Sequence, residues 1–171
     1  MNPSIFKAYD IRGIYPQDLN EEDSYRIGQA LIEYTKAKKI AVGWDMRLSS
    51  PKLAESFIKG VTEKGTNVIN LQMISTPILY FSSWKIKDLE VAVIFTASHN
   101  PAEYNGIKIC LKNAIPIGEG SGMEEIKNLS LKQTAILPKV QPGKIEINSA
   151  VKKEYFDYVA KFFISGKRKK K

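Results

Sequence analysis

The chain has 171 residues, 43% hydrophobic and 26% charged, enough for one core and too apolar for wholesale disorder. Its formal net charge is +8, but five of those charges sit in the closing run Lys167–Lys171, so only the tail favours RNA, DNA or anionic lipid. A single cysteine excludes an internal disulfide, and the N-terminal MNPSIFKAYD lacks the basic flank and apolar run of a secretory signal.

These features, with no apolar segment near membrane-spanning length, lead to the expectation of a cytoplasmic domain without a membrane partner. No aromatic interleaving accompanies the basic run, so a nucleic-acid partner is not the leading reading.

In chain order, NEEDSYRIGQALIEYTKAKK reads as a helix. Asn20 is placed to cap it, Glu21, Glu22 and Asp23 fill the first turn, and Ile27, Leu31 and Tyr34 recur on one face. IAVGW, Ile40–Trp44, is a short apolar run suited to a buried strand. SSPKLAESFIKGVTEKG restarts a helix with Ser50 as cap, Pro51 at the first position, Leu53, Phe57 and Val61 facing inward, and Gly65 as the stop. NVINLQM is a second strand, TPILYFSSWKI a short helix and EVAVIFT a third strand.

Only a turn-length gap separates EVAVIFT from GIKICL, which suits an antiparallel neighbour better than a crossover. Residues 112–147 are richer in Gly, Pro and polar residues, with a short helix expected near Met123–Asn128. NSAVKKEYFDYVAKFF closes with a helix striped by Val151, Tyr155, Tyr158, Val159 and Phe162. Strand–helix alternation predicts a three-layer α/β/α domain. Its sheet is mixed, mostly parallel, with one antiparallel strand. The domain is placed over residues 1–165, with 166–171 as a basic tail or truncated linker.

In such sheets ligands meet the loops at the carboxyl ends of the strands. Two loops qualify: DMRLSS after Ile40–Trp44 and ASHNPAEYN after Glu90–Thr96. Ser98 in the second needs activation to act as a nucleophile. A Ser-His-Asp hydrolase fits poorly, because the chain's one histidine, His99, is the next residue and neighbouring side chains usually point apart. A phosphate-carrying serine fits better, with Lys108 across the turn and Arg12 and Arg47 in other loop-like stretches. Gly106 could let the backbone approach a ligand, while Asn100-Pro101 and Asn105-Gly106 read as turn formers. Arg12 and Arg47 read equally well as structural ion-pair partners, and Cys110 as core.

TASHNPAEYNGIKI resembles the phosphoserine loop of the α-D-phosphohexomutases, the family of phosphomannomutase and phosphoglucomutase. FKAYDIRGIY, VGWDMRLSSPKLAES and STPILYF agree in order, and the resemblance is close from Phe6 to about Lys112. It implies a reversible shift of a phosphoryl group between C1 and C6 of a hexose through a phosphoserine and a hexose 1,6-bisphosphate. On this resemblance Ser98 is the phosphate carrier, and its phosphate would be one ligand of a bound Mg²⁺. Lys108 and Arg12 match basic positions of the family's site, His99 and Asn100 share the serine's loop, and Tyr9 stands beside Arg12 as a sugar-phosphate contact. Arg47 is equally suited to bracing loops.

Two departures stand out. Trp44 occupies a place where many relatives have arginine. The six aspartates, Asp10, Asp18, Asp23, Asp45, Asp88 and Asp157, nowhere form the family's D-G-D-x-D metal loop. The resemblance therefore implies the first of four domains, inactive by itself, with its partners being hexose phosphates and the remaining domains. A free-standing module that binds sugar phosphate, or nucleic acid through the basic tail, is the alternative reading.

Overall fold

The computed structural model describes residues 1–132 and 140–164; the tail Lys167–Lys171 and the domain boundary at residue 165 lie outside the described residues. The strands are β1 (Ile11–Ile14), β2 (Lys39–Trp44), β3 (Asn67–Met73), β4 (Val91–Phe95), β5 (Tyr104–Leu111), β6 (Ile115–Pro116) and β7 (Ile145–Ile147). The helices are α1 (Glu21–Thr35), α2 (Ser50–Glu63), α3 (Thr76–Lys85), α4 (Met123–Lys132) and α5 (Ala150–Ile164). The sheet order is β1-β5-β4-β2-β3-β7, with β6 beside β5. β2 runs parallel to β3 and β4, and β3 parallel to β7, while β5 opposes β1, β4 and β6. The mixed sheet with one antiparallel strand is the expected architecture.

Alternation along the strands builds the three layers. In β4, Val91, Val93 and Phe95 face a core shared with α1, α2 and α4, whereas Ala92 and Ile94 face α3 and α5. All five are buried, as a central strand covered on both faces requires. The Phe95 ring meets Phe57 of α2 edge-on at 5.5 Å between centroids, which fastens the last residue of β4 before the Ser98 loop.

Helix α1 begins as its sequence dictates. Asn20 Oδ1 accepts from the Asp23 amide at 3.0 Å and Asp23 Oδ2 accepts from the Asn20 amide at 3.3 Å, a reciprocal capping box. Ile27 and Leu31 are buried as expected, but Tyr34 is half exposed, its ring end lying over Gly122. At α2 the expected cap is displaced by one residue. Ser49 holds the cap position, and Ser50 opens the helix with its hydroxyl turned to Asp45 Oδ1 at 2.7 Å. Gly65 does end that region, at φ +82°. Helix α4 extends beyond the short segment expected. Helix α5 buries only Val151 of its stripe completely, and Tyr158 and Phe162 are exposed.

The largest correction concerns Asn105-Gly106. Neither lies in a turn, because β5 starts at Tyr104 and both sit inside the ladder, fully buried. The turn is confined to residues between Phe95 and Tyr104.

Candidate functional site

Because β2 and β4 are adjacent and parallel, their carboxyl ends open on the same edge of the sheet. The loops that follow them, with the β3–α3 loop, line a cleft of about 1020 Å³. Asp45, Arg47, Lys52, Thr76, Ser98 and Asn100 bring polar groups to it. Met46 and Leu48, 83% and 96% exposed, stand on its wall.

Ser98 is held in an uncommon geometry. Its φ is +56°, in the left-handed region that costs a non-glycine residue roughly 1 kcal/mol or more. Both flanking peptide groups are fastened. The Ser98 amide donates to Thr96 Oγ1 at 2.9 Å, and its carbonyl accepts from Arg47 Nη2 at 3.1 Å. Thr96 is itself buried and its amide donates to the Gly106 carbonyl at 2.9 Å, so the loop's first leg is part of the sheet. The serine hydroxyl is exposed, and it meets His99 Nδ1 at 3.3 Å. The expectation that these neighbours point apart does not hold: the left-handed turn at Ser98 brings their side chains together.

A charged row lies on the other side of this loop. Asp10 just precedes β1 and faces Lys108 of β5, continuing the register in which Ile11 pairs with Ile107. Lys108 Nζ donates to Asp10 Oδ2 at 3.1 Å, and Arg12 Nη2 donates to the same oxygen. Arg12 Nη1 donates to Asn100 Oδ1 at 2.8 Å, joining the row to the serine's loop. Among the described residues Arg12 Nε is a buried nitrogen without a hydrogen-bond partner. Gly106 makes this arrangement possible. A side chain there would come within 2.3 Å of the Ile11 carbonyl and 3.4 Å of Arg12 Nε. Its small size serves strand packing beneath the guanidinium.

Of the residues expected at the site, Ser98, His99 and Asn100 share one loop, and Arg12 and Lys108 share Asp10. Of these, Ser98 and Asn100 line the cleft; His99, Arg12, Lys108 and Tyr9, the last 84% exposed, lie outside its lining. Arg47 turns out to brace: Nη1 donates to the carbonyls of Pro101 (2.6 Å) and Tyr104 (3.0 Å), and Nη2 to those of Ser98 (3.1 Å) and Asn100 (2.7 Å). Asp45 Oδ2 receives its Nε at 3.2 Å.

Sequence reasoning missed Asp10 and Asn105. Asn105 Nδ2 donates to Ser49 Oγ at 2.8 Å and Ser50 Oγ at 2.9 Å, tying β5 to the start of α2. Asp10 had a signal, an acid two residues before Arg12 and so on the same face of an extended chain. Asn105 had none, because an Asn-Gly pair reads as a turn.

Residues 3–136 match the family model described as phosphoglucomutase/phosphomannomutase, alpha/beta/alpha domain I. The chain belongs to the phosphoglucomutase/phosphomannomutase family. It is 38% identical over 156 residues to a Klebsiella pneumoniae phosphomannomutase, covering 90% of this chain and 98% of that one. It is 46% identical over 128 residues to a phosphomannomutase of Methanocaldococcus jannaschii, covering 75% of this chain and 27% of the relative. An Escherichia coli phosphomannomutase, 38% identical over 158 residues, is matched over 34% of its length, so the chain spans about a third of that relative. Among solved structures, a phosphoglucomutase/phosphomannomutase family protein from Burkholderia thailandensis superposes with a TM-score of 0.70 at 26% identity, over 86% of this chain and 33% of that one. A chain from Thermus thermophilus shares the fold at a TM-score of 0.74 and 23% identity, over 92% of this chain and 35% of its own. The phosphohexomutase resemblance read from the Ser98 loop thus agrees with the family and with its α/β/α domain I. No helix of the described residues is long and apolar enough to cross a membrane.

Proposed function

We propose that this chain supplies the phosphoserine half of a hexose phosphate mutase, with Ser98 as the residue that gives and takes the phosphoryl group. The observation that carries the reading is Ser98 itself, an exposed hydroxyl whose backbone is fixed at φ +56° by bonds on both sides. A group-transfer site needs its reacting oxygen held in one place, and left-handed strain persists only where the surroundings over-determine it.

In the forward step the phosphoserine Oγ–P bond breaks as a hydroxyl oxygen of a hexose phosphate bonds to phosphorus, and the proton of that hydroxyl ends on the departing Ser98 Oγ. A hexose 1,6-bisphosphate results. After it turns over, Ser98 Oγ bonds to its other phosphorus as that sugar O–P bond breaks; His99 Nδ1, 3.3 Å from Oγ, is placed to receive the serine proton, and the leaving sugar oxygen ends protonated as a hydroxyl. Phosphoryl transfer depends chiefly on positioning and on neutralising charge. Lys108 and Arg12 supply the cations, with Asp10 holding both in register when no phosphate competes. Asn100 spends its carbonyl on Arg12, which leaves its amide NH₂ as the donor for a sugar phosphate oxygen.

Mg²⁺ does not fit this chain's residues alone. No group of three or more His, Cys, Asp and Glu among the described residues could hold a metal ion, and Asp10 is already shared by two cations. A phosphate on Ser98 would add oxygen ligands, but the rest of a metal shell must come from elsewhere. Sugar recognition likewise rests on residues beyond this chain, consistent with its spanning about a third of the Escherichia coli relative.

The test is mutase turnover of mannose 1-phosphate and glucose 1-phosphate in a coupled assay. The 171-residue chain alone is expected to give none. The protein carrying all family domains is expected to turn over and to lose at least about a thousandfold on Ser98→Ala. Persistent turnover in that variant overturns the assignment.

A further inference from the structure

The Asp45–Arg47 pair lies in a different loop from Ser98, touches neither its hydroxyl nor the cation row, and spends nearly every arginine donor on the serine's loop. The guanidinium makes five hydrogen bonds. One goes to Asp45 Oδ2, and four go to the carbonyls of Ser98, Asn100, Pro101 and Tyr104. A guanidinium presents five N–H donors in a rigid planar fork, and these five bonds use all of them, leaving none for a phosphate.

The seat of this fork is equally well defined. Asp45 Oδ1 accepts from the Arg47 amide at 3.0 Å and from Ser50 Oγ at 2.7 Å, and the Asp45 amide donates to the Phe95 carbonyl at 2.9 Å. The aspartate is therefore fastened to the end of β4, to the first turn of α2 and to the arginine at once. Ser50 in turn receives Asn105 Nδ2, so the network closes on β5, the strand on which the loop lands.

We propose that Arg47, seated by Asp45, is the positioning residue that keeps Ser98 in its left-handed conformation and so aims Oγ. The proposal rests on the reading of Ser98 as the phosphate carrier, but its physical content is separate from it. Thr96 fixes the peptide group before Ser98 and Arg47 the peptide group after it. Releasing the second lets the residue relax toward φ < 0, which swings Oγ away. The guanidinium also gathers four carbonyl oxygens that would otherwise repel one another around a turn of only a few residues.

The geometry distinguishes a fork from a charge. If Arg47 served by attracting phosphate, a lysine would keep much of its effect. A lysine ammonium is a compact charge with three donors and cannot serve four carbonyls and Asp45 at once.

The experiment compares the wild-type chain with Arg47→Lys, Arg47→Ala and Asp45→Asn. Amide hydrogen exchange is read at Ser98, Asn100 and Tyr104, whose N–H groups bond within the loop, and at Val42 and Val93 in the sheet. The Ser98 three-bond HN–Hα coupling reports its φ directly. Both arginine variants are expected to speed exchange at the loop amides by at least about tenfold and to shift the Ser98 coupling, with the strand amides unchanged. Asp45→Asn is expected to give a smaller change of the same kind.

Unchanged exchange and coupling in Arg47→Lys overturn the proposal, as does loss of strand protection in step with the loop. Should Arg47→Ala not fold, the lysine and Asp45→Asn chains decide the matter. Phosphate on Ser98 is scored separately by peptide mass spectrometry. Failure of the phosphoserine reading would leave the exchange result standing, and failure of the clamp would leave the phosphate in place.

Discussion

Replacing Asn105 with alanine separates a buried connector from a turn residue. Asn105 has no exposed surface, and its amide nitrogen donates to Ser49 Oγ at 2.8 Å and Ser50 Oγ at 2.9 Å, while its Oδ1 accepts from the Gly106 amide. Two such bonds contribute roughly 0.5–1 kcal/mol each. Stranding the buried Ser49 hydroxyl and leaving the amide's space empty add roughly 1–2 kcal/mol more. Asn105→Ala is thus expected to cost roughly 2–4 kcal/mol. For a chain of this size the middle of that range lowers Tm by about 6–12 °C.

Urea unfolding of the two proteins gives the free-energy difference, provided the slopes agree. A cycle with Ser49→Ala should show a coupling of at least about 0.5 kcal/mol, because the hydroxyl no longer needs a partner once it is gone. A loss below about 1 kcal/mol, with no coupling, would mean that Asn105 behaves as an exposed turn residue and that the network between β5 and α2 is not structural.

Two other expectations follow from charges. Asp10→Asn removes the anion shared by Arg12 and Lys108, whose side chains are 19% and 27% exposed, so water relieves part of the penalty. A loss of about 1–3 kcal/mol by urea unfolding is expected, and no loss would show that the row contributes nothing before phosphate arrives. Burial raises the Cys110 thiol to about 11 and Tyr25 to about 12, the latter with help from Glu63. Each ionises first in the unfolded chain, near 9.0 and 10.0, so the folded state holds more protons in between. Stability should therefore fall as pH rises from about 9 to about 12, and Cys110→Ala should flatten the lower part of that fall; a flat alkaline profile would contradict both shifts.

Much of the fold was legible because its period was legible. The strand of Val91–Phe95, the stripes of α1 and α2 and the short β4–β5 connection follow from apolar spacing and gap length, which are local. β1 and β7 were not read as strands. They are four and three residues long, too short to show a period, and exist through partners far along the sequence: Ile107 for Ile11, Asn70 for Ile147. Helix α5 misled in another way. Its stripe is real, but only Val151 is wholly covered, so an apolar face in sequence did not specify how much of it finds a partner.

The site divides along the same line. Ser98, His99 and Asn100 were legible as a loop because the resemblance is carried by consecutive residues. Asp10's sharing of two cations, Arg47's grip on four carbonyls and Asn105's reach to α2 were not. Each depends on strand register, and register is set by the whole sheet. Ser98's left-handed backbone was also hidden, since serine has no preference for it and only its fastened neighbours impose it.

The central claim is that Ser98 carries phosphate. Its most direct test is peptide mass spectrometry of the protein, in the form the cell makes, after incubation with a hexose 1,6-bisphosphate. One added phosphate is expected, on the peptide containing Ser98 and on that residue, and none in Ser98→Ala. Phosphate found on another residue, or retained in the variant, would contradict it.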